Sequence, residues 1–297
     1  MQSRPLPLFA VFENQNKFRE KPHETADSFG VCNQICIEEF TNKQSDQFQT
    51  LCHIGSGSFS DVFKVSSKED GNIYAIKWTR TRHLDDSDRR TSLHDLYMLQ
   101  QVVQHPNLVD FNRSWIQKGE IFTQQELCEN GNLTSYLIHN DKLDEKVIWK
   151  LLFDIVLAVK QLHGQQIIHF DIKPDNIFIS KNNYFKLGDF GLSHFKDFTS
   201  PISEGDSRYI APEVLTQTLS TTSSDIFSIG VTVFEASERV IIPSDGPLWH
   251  KLREDPPHLE GRSQQLDQLV RSLLHSDPKC RPSVDIILHN PQEYNLF

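Results

Sequence analysis

The sequence lacks any long apolar run. No stretch approaches the roughly 18–20 uninterrupted apolar residues that a membrane-spanning helix needs. The residues that follow Met1 contain Pro5 and Pro7 but no apolar core of a signal peptide. We therefore expect a soluble chain without a transmembrane segment.

Positive charge is also scarce. Lys and Arg total 30 against 40 Asp and Glu, which gives a formal net charge of −10. Because nucleic-acid phosphates and anionic membranes repel such a chain, we expect neither as a partner. Cysteines are few and odd in number, five in 297 residues, which favours reduced thiols in an intracellular protein.

Patterning divides the chain into a polar extension and one large domain. Residues 1–47 are rich in Asn, Gln, Lys and Glu without a sustained period, so we expect a loosely ordered extension that packs only in places. Strand patterns follow near 49–55, 61–67, 72–79, 108–117 and 120–127, with one helical stretch at 88–103. Apolar residues at helical spacing then predict helices at 144–163, 223–237, 264–275 and 283–289.

This order of elements predicts an α+β fold. The β-rich lobe covers about 48–128 and the helical lobe about 129–290, and a tail occupies 291–297. The first candidate site is a Gly-rich loop between two strands, whose backbone N–H groups can cradle phosphates. It comprises Ile54, Gly55, Ser56, Gly57, Ser58, Phe59, Ser60, Asp61 and Val62. Gly and Ser also crowd ordinary hairpins, so this loop alone does not decide the function.

Charged residues suited to phosphate chemistry follow. Lys77 ends an apolar strand, where its ammonium group can neutralise phosphate charge. A single such lysine is more often a surface residue. The short loop with Asp171, Lys173 and Asn176 combines a carboxylate, a cation and a carboxamide, the set that orients a hydroxyl and holds a metal. Asp189 is a candidate ligand for Mg²⁺.

In order and spacing, the motifs resemble the protein kinase signature over roughly 48–289. They are the Gly-rich loop, Ala75-Ile76-Lys77, His169 to Asn176, Asp189-Phe190-Gly191 and Ala211-Pro212-Glu213. The resemblance implies the two-lobed kinase fold and transfer of phosphate from ATP, with Mg²⁺, to a protein hydroxyl.

The same resemblance implies the role of each matching residue. Asp171 would accept the proton of the substrate hydroxyl, and Lys173 would stabilise the transferred phosphoryl group. Asn176 and Asp189 would hold Mg²⁺. The nucleotide would contact Lys77 through its α- and β-phosphates, and its adenine would meet Val62, Ala75, the gatekeeper Gln125 and backbone groups of Glu126 and Cys128. Glu213 and Arg281 would form a structural ion pair.

Further motifs are similar to those of the Wee-type inhibitory kinases of the cell cycle. They are Gln104-His105-Pro106, Gln125-Glu126-Leu127-Cys128, Glu204 to Tyr209 and Asp245 to Arg253. The intact Asp189-Phe190-Gly191 and Ala211-Pro212-Glu213 favour the membrane-associated tyrosine- and threonine-specific branch. The resemblance implies a cyclin-dependent kinase–cyclin complex as partner, phosphorylated on Tyr in its Gly-rich loop, with Thr left open as an additional acceptor, which delays mitosis. It also implies the nucleus, the cytoplasm or the cytoplasmic face of ER or Golgi membranes. We assume a monomer.

Four positions need individual interpretation. Phe170 stands where Arg usually reads a phosphorylated activation loop, which predicts activity without phosphorylation of 192–210. Ser60 replaces the third loop glycine, with a modest expected effect. Asp95 stands where a Glu would pair with Lys77; its reach is shorter by about 1.5 Å, so the helix must shift inward or a water must bridge the pair. Asp206, at a usual Thr position, either bonds Lys173 and widens the hydroxyl site for tyrosine or only braces its loop.

Two rival functions stay open at this point. One is an active kinase of another branch, such as a translation-factor kinase, from which the motif Glu204 to Tyr209 distinguishes this chain. The other is a nucleotide-binding pseudokinase that acts as a scaffold. Asp95 and Ser60 favour the scaffold, whereas the joint presence of Lys77, Asp171, Asn176 and Asp189 argues against it.

Overall fold

The computed structural model describes residues 36–44, 46–57, 60–80, 86–140, 142–196, 205–217 and 220–289, with the backbone alone for 86–91 and 217. The chain forms two compact units. The first contains the described residues up to Leu96 together with Asp110–Glu129, and the second contains Tyr97–Val109 and the described residues from Asn130 onward. The predicted α+β fold, with a β-rich and a helical lobe, is confirmed.

The first unit is built on a five-stranded sheet with the order β1-β2-β3-β5-β4, in which all neighbours are antiparallel. Its strands are β1 (Phe48–Ser56), β2 (Ser60–Ser67), β3 (Ile73–Thr79), β4 (Phe111–Gln117) and β5 (Glu120–Glu126). Alternate residues of β2 are buried, as expected for a strand with one face on a core. The predicted strand at 108–117 begins three residues late, at Phe111.

An additional helix, α1 (36–44), covers the aromatic face of this sheet. Phe40 is fully buried and stacks on Phe63, with 4.0 Å between ring centroids. Lys43 forms a 2.7 Å ion pair with the buried Glu120, which also accepts a 3.0 Å hydrogen bond from the indole of Trp78. These contacts make α1 part of the core cluster, although the sequence predicted only a loosely ordered extension up to residue 47.

The second unit is mainly helical. The helices are α2 (Asp86–Gln101), which begins in the first unit, and α3 (Leu133–His139), α4 (Glu145–Gly164), α5 (Pro212–Gln217), α6 (Thr222–Glu238), α7 (Pro247–Glu254), α8 (Gln264–Leu273) and α9 (Val284–His289). The periodic segment predicted at 144–163 is α4, which starts after Asp144, whose side chain accepts from the N–H of Lys146. α6 and α8 approach closely at Gly230, where a Cβ would lie 2.9 Å from Leu273.

Two short antiparallel pairs of strands frame the loops of the candidate site. β6 (Ile167–Ile168) pairs with β9 (His194–Phe195), and β7 (Ile177–Ile179) pairs with β8 (Phe185–Leu187). The loop with Asp171 therefore joins one pair to the other, and Asp189 follows β8 directly. Both candidate loops of this unit start from paired strands, which fixes their ends.

Candidate active site

A buried carboxylate holds the loop that contains Asp171. Asp225 lies on α6, is fully buried, and accepts hydrogen bonds from the backbone N–H groups of His169 at 3.0 Å and Phe170 at 2.9 Å. The ring of His163 lies 2.8 Å from the same carboxylate. Burial by itself would raise the pKa of Asp225, but the hydrogen bonds and charges of His163 and His169 together outweigh burial, so the net pKa is lowered. The carboxylate therefore stays ionised and fixes the loop.

His169 links this loop to the one with Asp189. Its Nδ1 lies 3.3 Å from the backbone nitrogen of Asp171, and its Nε2 lies 3.2 Å from the carbonyl oxygen of Gly188. Complete burial lowers the pKa of His169, so the ring is neutral, with Nε2–H as the donor and Nδ1 as the acceptor. A neutral bridge of this kind keeps the two loops at a fixed separation.

The three residues predicted to be catalytic lie together. The Nζ of Lys173 is 2.9 Å from Oδ1 of Asp171, and the side-chain amide nitrogen of Asn176 donates to Oδ2 of Asp171 at 2.8 Å. The same nitrogen donates to the carbonyl oxygen of Asp171, also at 2.8 Å. Both carboxylate oxygens are thus oriented by neighbours. A carboxylate held in this way is oriented to accept a proton from a hydroxyl.

The predicted metal ligands come from adjacent segments. The N–H of Gly188 donates to the carbonyl oxygen of Asn176 at 3.0 Å, which places Asp189 next to the turn with Asn176. A Cβ at Gly188 would lie 2.8 Å from Val109, so this close approach requires glycine. Asp189 is exposed, whereas the following Phe190 is buried against the ring of His169. One side-chain amide and one exposed carboxylate are oxygen donors of the kind that Mg²⁺ takes alongside phosphate oxygens.

In the first unit, Lys77 and Asp95 form a direct ion pair. Lys77 lies on β3 opposite Val62 and Thr123, and its Nζ is 2.9 Å from Oδ2 of Asp95 on α2. From the sequence, either an inward shift of the helix or a bridging water would join Asp95 to Lys77. In the structure the two side chains are in direct contact. The shorter side chain is therefore compatible with the pair.

The Gly-rich hairpin is held by its own polar side chains. The hydroxyl of Ser56 donates to the buried Asp61 at 2.8 Å, and Asp61 also forms an ion pair with Arg80. The N–H of Gly57 donates to the carbonyl oxygen of Ser60 at 2.6 Å. Ser58 and Phe59 lie outside the described residues. The flanks of the predicted loop, from Ile54 to Gly57 and from Ser60 to Val62, form a paired hairpin.

Comparison with known families agrees with this geometry. The family model described as "Protein kinase domain" matches residues 48–292. The chain belongs to the protein kinase family. The kinase domain expected from the motifs is therefore confirmed.

Several relatives of this kinase carry names of Wee-type enzymes. The "Membrane-associated tyrosine- and threonine-specific cdc2-inhibitory kinase" of Drosophila melanogaster is 35% identical, over 82% of this chain and 47% of its own length. The wee-1.3 kinase of Caenorhabditis elegans, described in the same words, is 38% identical, over 85% and 38%. The "Mitosis inhibitor protein kinase wee1" of Schizosaccharomyces pombe is 31% identical, over 85% and 32%. The predicted Wee-type resemblance is confirmed, and the chain spans less than half the length of each of these relatives.

The predicted adenine-contact residues of this kinase lie on three strands of the sheet: Val62 on β2, Ala75 on β3, and Gln125 and Glu126 on β5. Ala75 pairs with Gln125 across β3 and β5, and the N–H of Glu126 donates to the carbonyl oxygen of Asp110 at 2.9 Å. Cys128 is buried in the same unit. The N–H of Glu126 is therefore already bonded within this unit.

The predicted hydrogen bond between Asp206 and Lys173 does not form in this kinase. Their charged atoms are 3.9 Å apart, too far for a hydrogen bond, although within reach of an ion pair. Asp206 instead accepts two hydrogen bonds from the guanidinium group of Arg208, at 2.9 and 2.6 Å. Burial opposes ionisation, but these bonds prevail and lower the pKa of Asp206. Asp206 bonds Arg208 rather than Lys173 because the planar guanidinium group, only two residues away, donates to both carboxylate oxygens.

The expected ion pair between Glu213 and Arg281 is confirmed. Two hydrogen bonds of 2.6 and 2.7 Å join the buried guanidinium and carboxylate groups.

The sequence did not predict that Asp225 and His169 hold the loops of the candidate site in place. One signal was available for Asp225: a charged residue followed by Ile226 and Phe227 in an apolar helix indicates a buried, hydrogen-bonded carboxylate. Within the described parts of the kinase, no helix has the length and apolar character to cross a membrane.

Proposed function

We propose that this kinase phosphorylates a tyrosine, with threonine as the alternative acceptor, in the Gly-rich loop of a cyclin-dependent kinase and thereby delays entry into mitosis. The observation that carries the proposal is the similarity to relatives whose names describe tyrosine- and threonine-specific cdc2-inhibitory kinases. The motif Glu204 to Tyr209 supports it from the sequence. The substrate shares the nucleus or the cytoplasm with the enzyme, including the cytoplasmic face of ER or Golgi membranes.

In this proposal the residues of the second unit perform the chemistry. Asp171 accepts the proton of the substrate hydroxyl, because Lys173 and Asn176 orient its two oxygens. Lys173 neutralises charge that develops on the transferred phosphoryl group. Asn176 and Asp189 supply the protein oxygens for Mg²⁺, which brings charge neutralisation to the phosphates when it is bound.

The residues of the first unit bind ATP. Lys77, held by Asp95, contacts the α- and β-phosphates, and the Gly-rich loop, whose flanks 54–57 and 60–62 are described, offers backbone N–H groups to them. Val62, Ala75 and Gln125 pack near the adenine, and backbone groups of Glu126 and Cys128 bond it. The direct contact between Lys77 and Asp95 supports an active enzyme over a scaffold, because Asp95 was one of two residues that favoured the scaffold.

Phosphate incorporation into a cyclin-dependent kinase–cyclin complex, with Mg²⁺-ATP and mass-spectrometric site mapping, tests the proposal. Asp171→Asn is the inactive variant, and loss of a catalytic base costs about 10²–10⁴ in rate. Asp175→Asn is the matched control, since it makes the same change in the same loop at a half-exposed carboxylate. We expect label on the Gly-rich-loop tyrosine with wild type and Asp175→Asn only.

Two other outcomes would redirect the proposal. Label confined to serine, or to sites outside the Gly-rich loop, would indicate a kinase of another branch. An absence of label with ATP still bound, measured by calorimetry, would indicate a nucleotide-binding scaffold.

A further inference from the structure

The segment just before Ala211-Pro212-Glu213 lies against the loop with Asp171. A Cβ at Gly205 would be 3.1 Å from the carbonyl oxygen of Phe170. Farther along, Asp206 is 3.9 Å from Lys173, and Arg208 is 4.0 Å from Asp175. Residues 205–210, which we call the substrate segment, therefore border the loop whose Asp171 would receive the proton of a protein hydroxyl.

One arginine on α7 donates to the back of the substrate segment. The Nη2 of Arg253 lies 2.9 Å from the carbonyl oxygen of Ser207, 3.2 Å from that of Arg208 and 2.8 Å from that of Ile210. Arg253 is only 5% exposed. Burial lowers the pKa of Arg253 to about 10, so it stays charged at neutral pH. These bonds are consequently charge-assisted and stronger than neutral ones.

Trp249, one turn earlier on α7, completes the arrangement. Its indole N–H donates to the carbonyl oxygen of Ser207 at 3.0 Å, and its ring lies 3.7 Å from the guanidinium carbon of Arg253. From α6, the hydroxyl of Ser228 donates to the carbonyl oxygen of Tyr209 at 2.9 Å. Each carbonyl oxygen from Ser207 to Ile210 thus accepts a side-chain hydrogen bond, and the segment is fixed through its backbone.

We propose that Arg253 and Trp249 are positioning residues that set the conformation of the substrate segment and hence the affinity for the protein substrate. The inference rests on the proposed kinase activity. It gives a physical role to the motif Asp245 to Arg253, which the nucleotide and catalytic sites leave unexplained. A lysine cannot replace Arg253 fully, because the guanidinium group also donates through Nη1 to the carbonyl oxygen of Trp249 at 3.0 Å and lies over the Trp249 ring.

The test compares Arg253→Met with Arg262→Met in the whole chain. Arg262 is a matched control, since its guanidinium group also donates to two backbone carbonyls, those of Leu143 at 2.8 Å and Ser237 at 2.7 Å. Three quantities are measured: amide hydrogen exchange of 205–210, KM for the protein substrate and the dissociation constant of Mg²⁺-ATP. The cyclin-dependent kinase–cyclin complex and casein serve as substrates.

For Arg253→Met we expect exchange of 205–210 and KM for the protein substrate to rise roughly tenfold, with ATP affinity unchanged. Arg253→Lys should recover part of both losses, and Arg262→Met should show neither. Unchanged exchange, or faster exchange with unchanged KM, would overturn the proposal. So would a parallel loss of ATP affinity, which indicates a general structural defect.

Two provisions keep the result decisive. If Arg253→Met does not fold, Trp249→Phe removes a single donor from a partly exposed side chain, and we expect a smaller shift of exchange and KM in the same direction. No shift there would refute the positioning role. If wild type phosphorylates neither substrate, the proposed function fails, and the exchange data alone decide whether α7 holds the segment.

Discussion

The Nζ of Lys77 lies 2.9 Å from Oδ2 of Asp95, so an aspartate on α2 contacts the lysine where a longer glutamate is usual. Both side chains are mostly shielded from water, at 24% and 15% exposure. This partial burial strengthens the attraction between the two charges, because water screens them less than it screens a surface ion pair. Its geometry indicates that α2 is placed for the shorter side chain.

We expect Asp95→Asn to lower kcat/KM for ATP at least tenfold, because an amide keeps the shape but loses the charge that orients Lys77. Asp95→Glu should also lower kcat/KM, since the added methylene overshoots the lysine. Steady-state kinetics check both, with circular dichroism to verify folding. A gain in activity with glutamate would contradict the placement of α2.

Phe170 predicts an enzyme that does not depend on phosphorylation of its activation segment. Its side chain is 8% exposed and packs edge-on against His194, at 5.3 Å between ring centroids. An aromatic ring at this position cannot bind a phosphate as an arginine does. We therefore expect full activity after treatment with a phosphatase. A kinase that needs activation-segment phosphorylation serves as the positive control, and loss of activity in both would refute the prediction.

Asp206→Thr tests whether this carboxylate favours tyrosine as the acceptor. The substitution removes the charge near Lys173 and the pair with Arg208, and we expect the ratio of phosphotyrosine to phosphothreonine to fall. Arg208→Gln is the control, because it breaks the same pair but keeps the carboxylate. Site mapping gives the ratio. If Asp206→Thr leaves it unchanged, Asp206 only braces its loop.

Stability should depend on pH through Glu235. This carboxyl group is buried and accepts a 2.5 Å hydrogen bond from the hydroxyl of Tyr209. Burial raises the pKa of Glu235 from 4.5 to about 7. The folded state therefore binds this proton more tightly than the unfolded state does. The contribution of this proton to the free energy of unfolding is complete below pH 4.5 and is lost as the pH rises through about 7.

Glu235→Gln should remove this penalty, since the amide oxygen still accepts from Tyr209 and carries no charge. We expect Tm to exceed that of wild type at pH 8 by roughly 2–8 °C, with a much smaller difference at pH 5. Thermal unfolding of both proteins over this range measures the effect. An equal difference at both pH values would show that Glu235 does not titrate as proposed.

Helix α1 should be essential for stability. Phe40 is fully buried among aromatic rings of the sheet, and its removal would leave a cavity. We expect Phe40→Ala to lower the free energy of unfolding by roughly 3–5 kcal/mol. Ile116→Ala is the control, because Ile116 is 62% exposed and its loss should matter little. Equal urea midpoints for the two variants would show that α1 contributes nothing.

Helix α1 is an element that the sequence alone did not predict. Ile37 and Phe40, three residues apart in α1, pack on the core cluster, but two apolar residues in a polar segment are too short a repeat to predict a buried helix. The face that it covers comes from β2, β3 and β5, which meet only in the folded sheet. The long helix α4, by contrast, could be predicted almost to the residue, because its own repeating apolar side chains define it.

The sequence by itself determined the family, the α+β order of elements and the residue types of the site, because these depend on motifs within a few residues. Only the tertiary structure decided which side chains meet. Asp225 holds a loop that lies more than 50 residues earlier in the chain, and Arg253 donates to backbone carbonyl oxygens that lie more than 40 residues earlier. Such partners depend on how distant segments pack, and no local pattern encodes that distance.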